Sequence, residues 1–127
     1  MSKPIAILSA ARTPIGGMLG SLSSLSAPDL GALAIAAAIE RSGADPSKID
    51  EVLMGSVLTA GQGQAPARQA ALAAGLAQST SCTTINKVCG SAMKSVMVAG
   101  NTLRSGQAGM VVAGGMESMS RAPYLIP

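Results

Sequence analysis

Short apolar runs alternate along this chain with segments whose apolar residues fall at helical spacing, and that alternation predicts a strand–helix order from end to end. Residues 5–10 form an apolar run that stops at Arg12, Thr13 and Pro14, giving a first strand. A Gly- and Ser-rich stretch over 16–24 leads to Ser26-Ala27-Pro28-Asp29. These four have the form of a helix start, with a hydroxyl cap, Pro in the first turn and a carboxylate three places after the cap. Leu30, Leu33, Ala34 and Ala37 then recur as one helical face would, and Gly43 is placed to end the helix. Residues 52–58 read as a second strand, and after the Gly- and Gln-rich 59–64, Pro66 opens an Ala-rich helix that Gly75 closes. A third strand is predicted over 82–88, and a helix over 89–104 that buries Ala92, Met93, Val96, Met97 and Leu103. Residues 110–113 are continuously apolar, as a fourth strand covered on both faces should be. Such repetition implies right-handed crossovers and an α/β fold with a mainly parallel sheet and helices on its faces.

Composition narrows the picture. The 127 residues suit one ordinary domain, and 48% are apolar, yet Phe and Trp are absent and Tyr occurs once. The core must therefore come from small aliphatic residues and eight Met, with fifteen Gly allowing close backbone approach. No aromatic platform exists for stacking single-stranded nucleic acid. The net charge of +3 is spread from Lys3 to Arg121 without a run, which excludes a nucleic-acid footprint. Two cysteines and no histidine give neither a disulfide framework nor a metal site, and a reducing, cytoplasmic setting is expected. The start at Met1-Ser2-Lys3-Pro4 leads into an apolar run broken by Arg12 and Pro14, too brief for a secretory core or a membrane span. At the other end Tyr124-Leu125-Ile126-Pro127 has no cap and no polar tail, and residues 118–127 read as a cut.

Candidate chemistry centres on Cys89, in Asn86-Lys87-Val88-Cys89-Gly90-Ser91-Ala92-Met93-Lys94. It lies between a β-branched run, Thr83, Thr84 and Ile85, and a stretch with helical spacing, so its sulfur is expected at a helix N-terminus. Unsatisfied N–H groups and the positive end of the helix dipole stabilise a thiolate there. Gly90 leaves room for a substrate, Lys87 and Lys94 add positive charge, and the Cys89 N–H is available to a developing oxyanion. The ordinary alternative is a buried thiol acting as a small hydrophobe, and that is the reading for Cys82. A cysteine nucleophile normally works with a base in hydrogen-bond reach, and without histidine this is half of an active site. Gly61-Gln62-Gly63-Gln64-Ala65 lacks the third Gly or following Lys-Ser/Thr of a nucleotide loop and reads as a turn before a helix. In Gly114-Gly115-Met116-Glu117-Ser118-Met119, after the fourth strand, Glu117 alone stands out as a candidate to line a site at the carboxyl end of the sheet. Arg12-Thr13-Pro14 is read as a strand-ending turn, and the methionines as core packing.

Four ordered blocks resemble the N-terminal half of thiolases: Ser9-Ala10-Ala11-Arg12-Thr13-Pro14-Ile15-Gly16, Gly61-Gln62-Gly63-Gln64-Ala65-Pro66-Ala67-Arg68-Gln69, Asn86-Lys87-Val88-Cys89-Gly90-Ser91 and Ala113-Gly114-Gly115-Met116-Glu117-Ser118-Met119-Ser120. The resemblance implies the N-terminal βαβαβαβ half of the thiolase fold over 1–117, with 118–127 as the start of a loop domain. It implies Cys89 as the residue that takes an acyl group as a thioester, coenzyme A as substrate, no prosthetic group, and a dimer or tetramer in which Gln64 and its loop help hold subunits together. The Gly-His-Pro, Asn-Glu-Ala and Cys-x-Gly-Gly-Gly segments that thiolases also use do not occur, so the isolated chain is expected to have a reactive thiol and negligible turnover. A ketoacyl-synthase-like condensing enzyme, and a truncated subunit that only associates with full-length partners, are the other readings.

Overall fold

Ser26 starts the first helix as its sequence predicts. Its hydroxyl accepts the Asp29 N–H at 3.2 Å, and the Asp29 carboxylate accepts the Ser26 N–H at 3.0 Å, so two donors that the helix would leave bare are satisfied reciprocally. Ser26 Oγ also donates to Asp29 Oδ2 at 2.6 Å, and this bond, ahead of the one from the Ser26 N–H, holds the Asp29 carboxyl below the usual carboxylate range. At the other end Gly43 adopts a left-handed φ of 66° and donates its N–H to Glu40 O. In the computed structural model, which describes residues 4–127, the elements are α1 (Ala27–Ser42), β1 (Glu51–Gly55), α2 (Pro66–Ala73), β2 (Ser81–Ile85), α3 (Ser91–Arg104) and β3 (Val111–Gly115). Single 3₁₀ turns occupy Pro46–Lys48 and Met119–Arg121. Residues 1–3, which precede the apolar run over 5–10, lie outside the described residues.

The three strands form a parallel sheet in the order β2-β1-β3, with Leu53 aligned to Thr83 on one side and Ala113 on the other. The chain moves from β1 to β2 in one direction and from β2 across to β3 in the other. Right-handed crossovers therefore place α2 and α3 on opposite faces. Alternation along β1 sorts the core accordingly. Val52 and Met54 join Ile35 and Ile39 of α1 and Ala67, Ala70 and Ala71 of α2 in one buried cluster. Leu53 and Gly55 point the other way, beneath α3.

Several expectations are corrected. Residues 5–10 belong to no strand; Ser9 Oγ donates to Ala38 O, and Arg41 donates to Ala10 O, so the segment is tied to α1. A short apolar run suits a strand, whereas ladder pairing depends on which neighbour the fold offers. The expected four-strand βαβαβαβ order is thus observed with three strands. On α1 the buried face is Gly31, Ala32, Ile35 and Ile39. Leu33, expected inside, is exposed. So many apolar residues surround this helix that periodicity alone does not orient it. The strands at β1 and β2 stop at Gly55 and Ile85, short of the expected 58 and 88. Strand β3 is a half-buried edge strand: Val112 packs against the core cluster on one face, and α3 lies over Gly115 on the other.

The largest correction concerns α3. Its buried residues are Ser91, Ser95 and Ala99, one face at four-residue spacing. Met93, Val96 and Met97, expected inside, are 72%, 53% and 58% exposed, while Ala92 is exposed and Leu103 half-buried. The reason is distance. A Cβ placed on Gly55 would lie 2.6 Å from Ser91 C, and one placed on Gly115 would lie 2.6 Å from Ala92 Cβ. The helix runs so close to the strand ends that only small side chains fit between, and volume outranks hydrophobicity.

Candidate active site

The exits of the three parallel strands are laced together. Ser56 N–H donates to Ile85 O at 3.0 Å and Met116 N–H to Gly55 O at 2.9 Å, so the chains leaving β1, β2 and β3 start from one fixed platform. Glu117, the one residue of the β3 exit singled out from sequence, accepts the Val57 N–H at 2.9 Å and the Leu58 N–H at 3.2 Å. Its carboxylate is a clamp on the β1 exit. From adjacent strands β1 and β2 the chain turns to helices on opposite faces, and in parallel sheets that divergence opens a crevice beyond the strand ends.

Cys89 is on the β2 exit. Its residue is exposed, and it directly precedes Gly90, the N-cap of α3. The helix begins two residues later than the predicted 89, which leaves the thiol just outside the first turn. The N–H groups of Cys89, Ala92 and Met93 have no acceptor among the described residues, so the positive end of α3 is open beside the sulfur. A Cβ on Gly90 would meet only Lys87 O, at 3.4 Å, so the protein's own packing does not demand glycine there. Lys87 is exposed and Lys94 half-buried.

The turn that presents Cys89 is strained. Val88 has φ 47°, a region that β-branched residues avoid, and its side chain is 66% exposed. Val88 N–H donates to Asn86 Oδ1 at 3.0 Å, Lys87 N–H donates to Ser91 Oγ at 2.8 Å, and Ser91 Oγ donates to Val88 O at 2.6 Å. Gly90 N–H closes the turn on Lys87 O at 3.0 Å. Spacing alone assigns no role to Asn86 or Ser91. The available signal was an Asn two residues before a turn and a hydroxyl on the first helical residue, both habitual partners of local backbone.

The second cysteine behaves as expected of a packed thiol. Cys82 is half-buried in β2, donates to Thr80 O at 3.4 Å, and burial pushes its thiol pKa up. The Gly-Gln segment is a turn before α2. Gly61 and Gly63 take φ 74° and 77°, which only glycine does freely, and the Gln69 amide donates to Gln62 O and Gln64 O, both at 2.7 Å. At α2 no side chain caps from the preceding residue. Instead Thr84 Oγ1, across on β2, accepts the Ala67 N–H at 3.0 Å. A hollow of about 140 Å³ lies between the start of α1, the β1 exit and the segment after β3, lined by Pro28, Leu58, Gln62, Gln69, Ser118 and Arg121 among others. Cys89 is not part of it. Arg12 is exposed, and Thr13 Oγ1 bonds its neighbour Pro14 O.

This strand, strained turn and helix match a described family over nearly the whole chain. The family model for the thiolase N-terminal domain covers residues 5–127. The chain belongs to the thiolase family. Among relatives, it is 62% identical over 120 residues to the mitochondrial acetyl-CoA acetyltransferase of Xenopus tropicalis, covering 94% of this chain and 29% of that protein. It is 55% identical to the acetyl-CoA acetyltransferase of Cupriavidus necator, covering 97% of this chain and 31% of the relative. Among solved structures, the Acat5 thiolase of Ascaris suum in complex with coenzyme A superposes with a TM-score of 0.94 at 47% identity, over 95% of this chain and 32% of that one. This thiolase domain thus spans about a third of the length of the proteins it resembles.

The cytoplasmic expectation does not stand. The Xenopus relative and those of Bos taurus and Homo sapiens are named as mitochondrial enzymes. Unpaired thiols distinguish reducing from oxidising surroundings; they do not tell one reducing compartment from another.

Proposed function

We propose that this thiolase domain supplies the nucleophile of an acyltransferase, with Cys89 taking an acyl group from a coenzyme A thioester. The Cys89 sulfur attacks the thioester carbonyl, a tetrahedral oxyanion forms, the bond from carbonyl carbon to coenzyme A sulfur breaks, and coenzyme A leaves as its thiol after taking up a proton. The acyl group is then passed to a second acceptor: coenzyme A in thiolysis of acetoacetyl-CoA or another 3-ketoacyl-CoA, or the enolate of acetyl-CoA in condensation. The observation that carries this reading is the exposed Cys89 just before α3, with the N–H groups of Cys89, Ala92 and Met93 beside it lacking an acceptor among the described residues. Preorganised N–H donors at that place are what an oxyanion requires. Coenzyme A as the substrate carrier is supported by the names of the acetyltransferase relatives and by the coenzyme A complex of the Ascaris thiolase.

The enolate step needs a positioned base, and the sequence has no histidine. Residues 1–117 are the nucleophile-bearing domain and 118–127 the start of a loop domain; the isolated chain loads an acyl group and turns over negligibly. A dimer or tetramer with the Gln64 loop between subunits completes the proposal. The exposed stripe Met93, Val96 and Met97 favours a second reading, in which the chain serves only as an associating subunit.

Intact-mass measurement after incubation with acetyl-CoA separates the two. One acetyl increment, mapped to Cys89 and lost in Cys89→Ala but kept in Cys82→Ala, is the expected result. No increment, or equal labelling of both cysteines, overturns the nucleophile assignment.

A further inference from the structure

We propose that Ser91 and Asn86 are positioning residues for the Cys89 nucleophile: together they lock Val88 in its left-handed conformation and so aim the thiol. The inference rests on the Cys89 reading above. Three consecutive peptide units surround Val88, and each is tied. Ser91 Oγ accepts the Lys87 N–H at 2.8 Å and donates to Val88 O at 2.6 Å, which fixes the units before and after. Asn86 Oδ1 accepts the Val88 N–H at 3.0 Å, which fixes the unit between.

Backbone bonds from Gly90 N–H to Lys87 O at 3.0 Å and from Ser91 N–H to Val88 O at 3.1 Å close the same turn, so the two side chains act on a turn already closed by the main chain, and packing of Val88 adds nothing. The Val88 side chain is 66% exposed and so is not clamped by packing. Among the described residues Leu19 and Ala65 also have positive φ outside glycine, but Val88 is the β-branched one, for which that conformation is least favourable. Ser91 itself is anchored. It is 5% exposed, and Gly55 beneath it lacks the Cβ that would stand 2.8 Å from Ser91 Cβ. A rigid hydroxyl on the first helical residue thus sets the direction in which the preceding residues leave the helix. Cys89 lies between the strained residue and the cap, and any relaxation of Val88 to negative φ swings it away from the open N–H groups of α3.

The experiment compares alkylation rates of Cys89 and Cys82 by peptide mass mapping in the full chain, with far-ultraviolet circular dichroism reporting the fold. In the unsubstituted chain Cys89 reacts faster than Cys82. Ser91→Ala lowers the Cys89 rate about tenfold, the order of effect that release of one strained residue carries, and leaves Cys82 unchanged. Adding Val88→Gly to Ser91→Ala restores most of the loss, because glycine takes the left-handed conformation without a clamp. A purely structural hydroxyl would show no such rescue. If Ser91→Ala loses its circular dichroism signal, Asn86→Ala, with an exposed side chain, carries the same comparison and the same rescue. An unchanged Cys89 rate in folded variants, or no rescue by Val88→Gly, overturns this inference and leaves the nucleophile assignment standing. Equal rates for Cys89 and Cys82 in the unsubstituted chain overturn both.

Discussion

Replacing Gly55 by Ala tests the close approach of α3 to the sheet, on which the position of Cys89 depends. The added Cβ would stand 2.6 Å from Ser91 C, 2.7 Å from Ala92 N and 2.8 Å from Ser91 Cβ. Two of these are backbone atoms, so no side-chain rotation relieves the clash. Ordinary carbon contact needs about 3.5 Å or more, so the start of α3 must retreat by roughly 1 Å. Strand β1 does not yield instead, because it is hydrogen-bonded on both sides. Overpacking of this kind costs about 1–3 kcal/mol. For a chain of this size that corresponds to a fall in melting temperature of roughly 3–15 °C. Gly17→Ala is the control, since a Cβ there meets nothing within 4 Å and its φ is not positive, and it should stay within about 0.5 kcal/mol. Thermal melts by circular dichroism give the stability, and alkylation of Cys89 gives the consequence at the site. A Gly55→Ala chain that melts with Gly17→Ala and keeps its Cys89 rate would refute the claim that glycine at 55 sets the helix position.

Three further outcomes follow from single contacts. Ser26→Ala removes half of the reciprocal cap on α1 and should destabilise the chain by about 0.5–2 kcal/mol in urea melts, while Ser23→Ala, outside the cap, should not. Thr84→Val strips the Ala67 N–H of its acceptor at a buried position, for a loss of about 1–3 kcal/mol; an unchanged melt would mean that another acceptor takes over. Asp50 accepts the Gly109 N–H at 2.7 Å and the Met110 N–H at 3.1 Å, and these bonds hold its carboxyl below the usual range. The stability it contributes is therefore complete above the unfolded carboxyl value of about 4 and is lost as pH falls through the lower folded value. Asp50→Asn should melt lower than the parent at pH 7 and show a shallower decline below pH 4, and parallel curves for the two would contradict the assignment.

Signals confined to neighbouring residues were legible in the sequence. The Ser26–Asp29 cap, Gly43 at the end of α1, Pro66 opening α2 and the placing of Cys89 at a helix start are each decided within a few positions, by a local hydrogen bond or by the backbone angles a residue type allows. Features that depend on what lies across the fold were not. Residues 5–10 look like a strand and are tied to α1 instead, and α2 finds its cap on Thr84 of a different element. Helix faces failed for a related reason. Apolar residues nearly encircle α1 and α3, and the side that goes inward is chosen by the available space. The role of Glu117 needed the fold as well, since its partners Val57 and Leu58 lie about sixty positions earlier.

Helix α3 connects the misread core to the candidate site. Periodicity assigned Met93, Val96 and Met97 to the interior because hydrophobic residues gain most from burial. The contact zone over Gly55 and Gly115 has no room for them, and Ser91, Ser95 and Ala99 take it. The same shortage of space draws Ser91 down onto Gly55, and from there its hydroxyl reaches back to Lys87 N–H and Val88 O. If α3 sat farther out on large side chains, its first residue would move with it and the turn holding Cys89 would lose its anchor. The outward stripe of large apolar residues and the fixed thiol are thus two results of one packing choice, made by glycine at 55 and serine at 91.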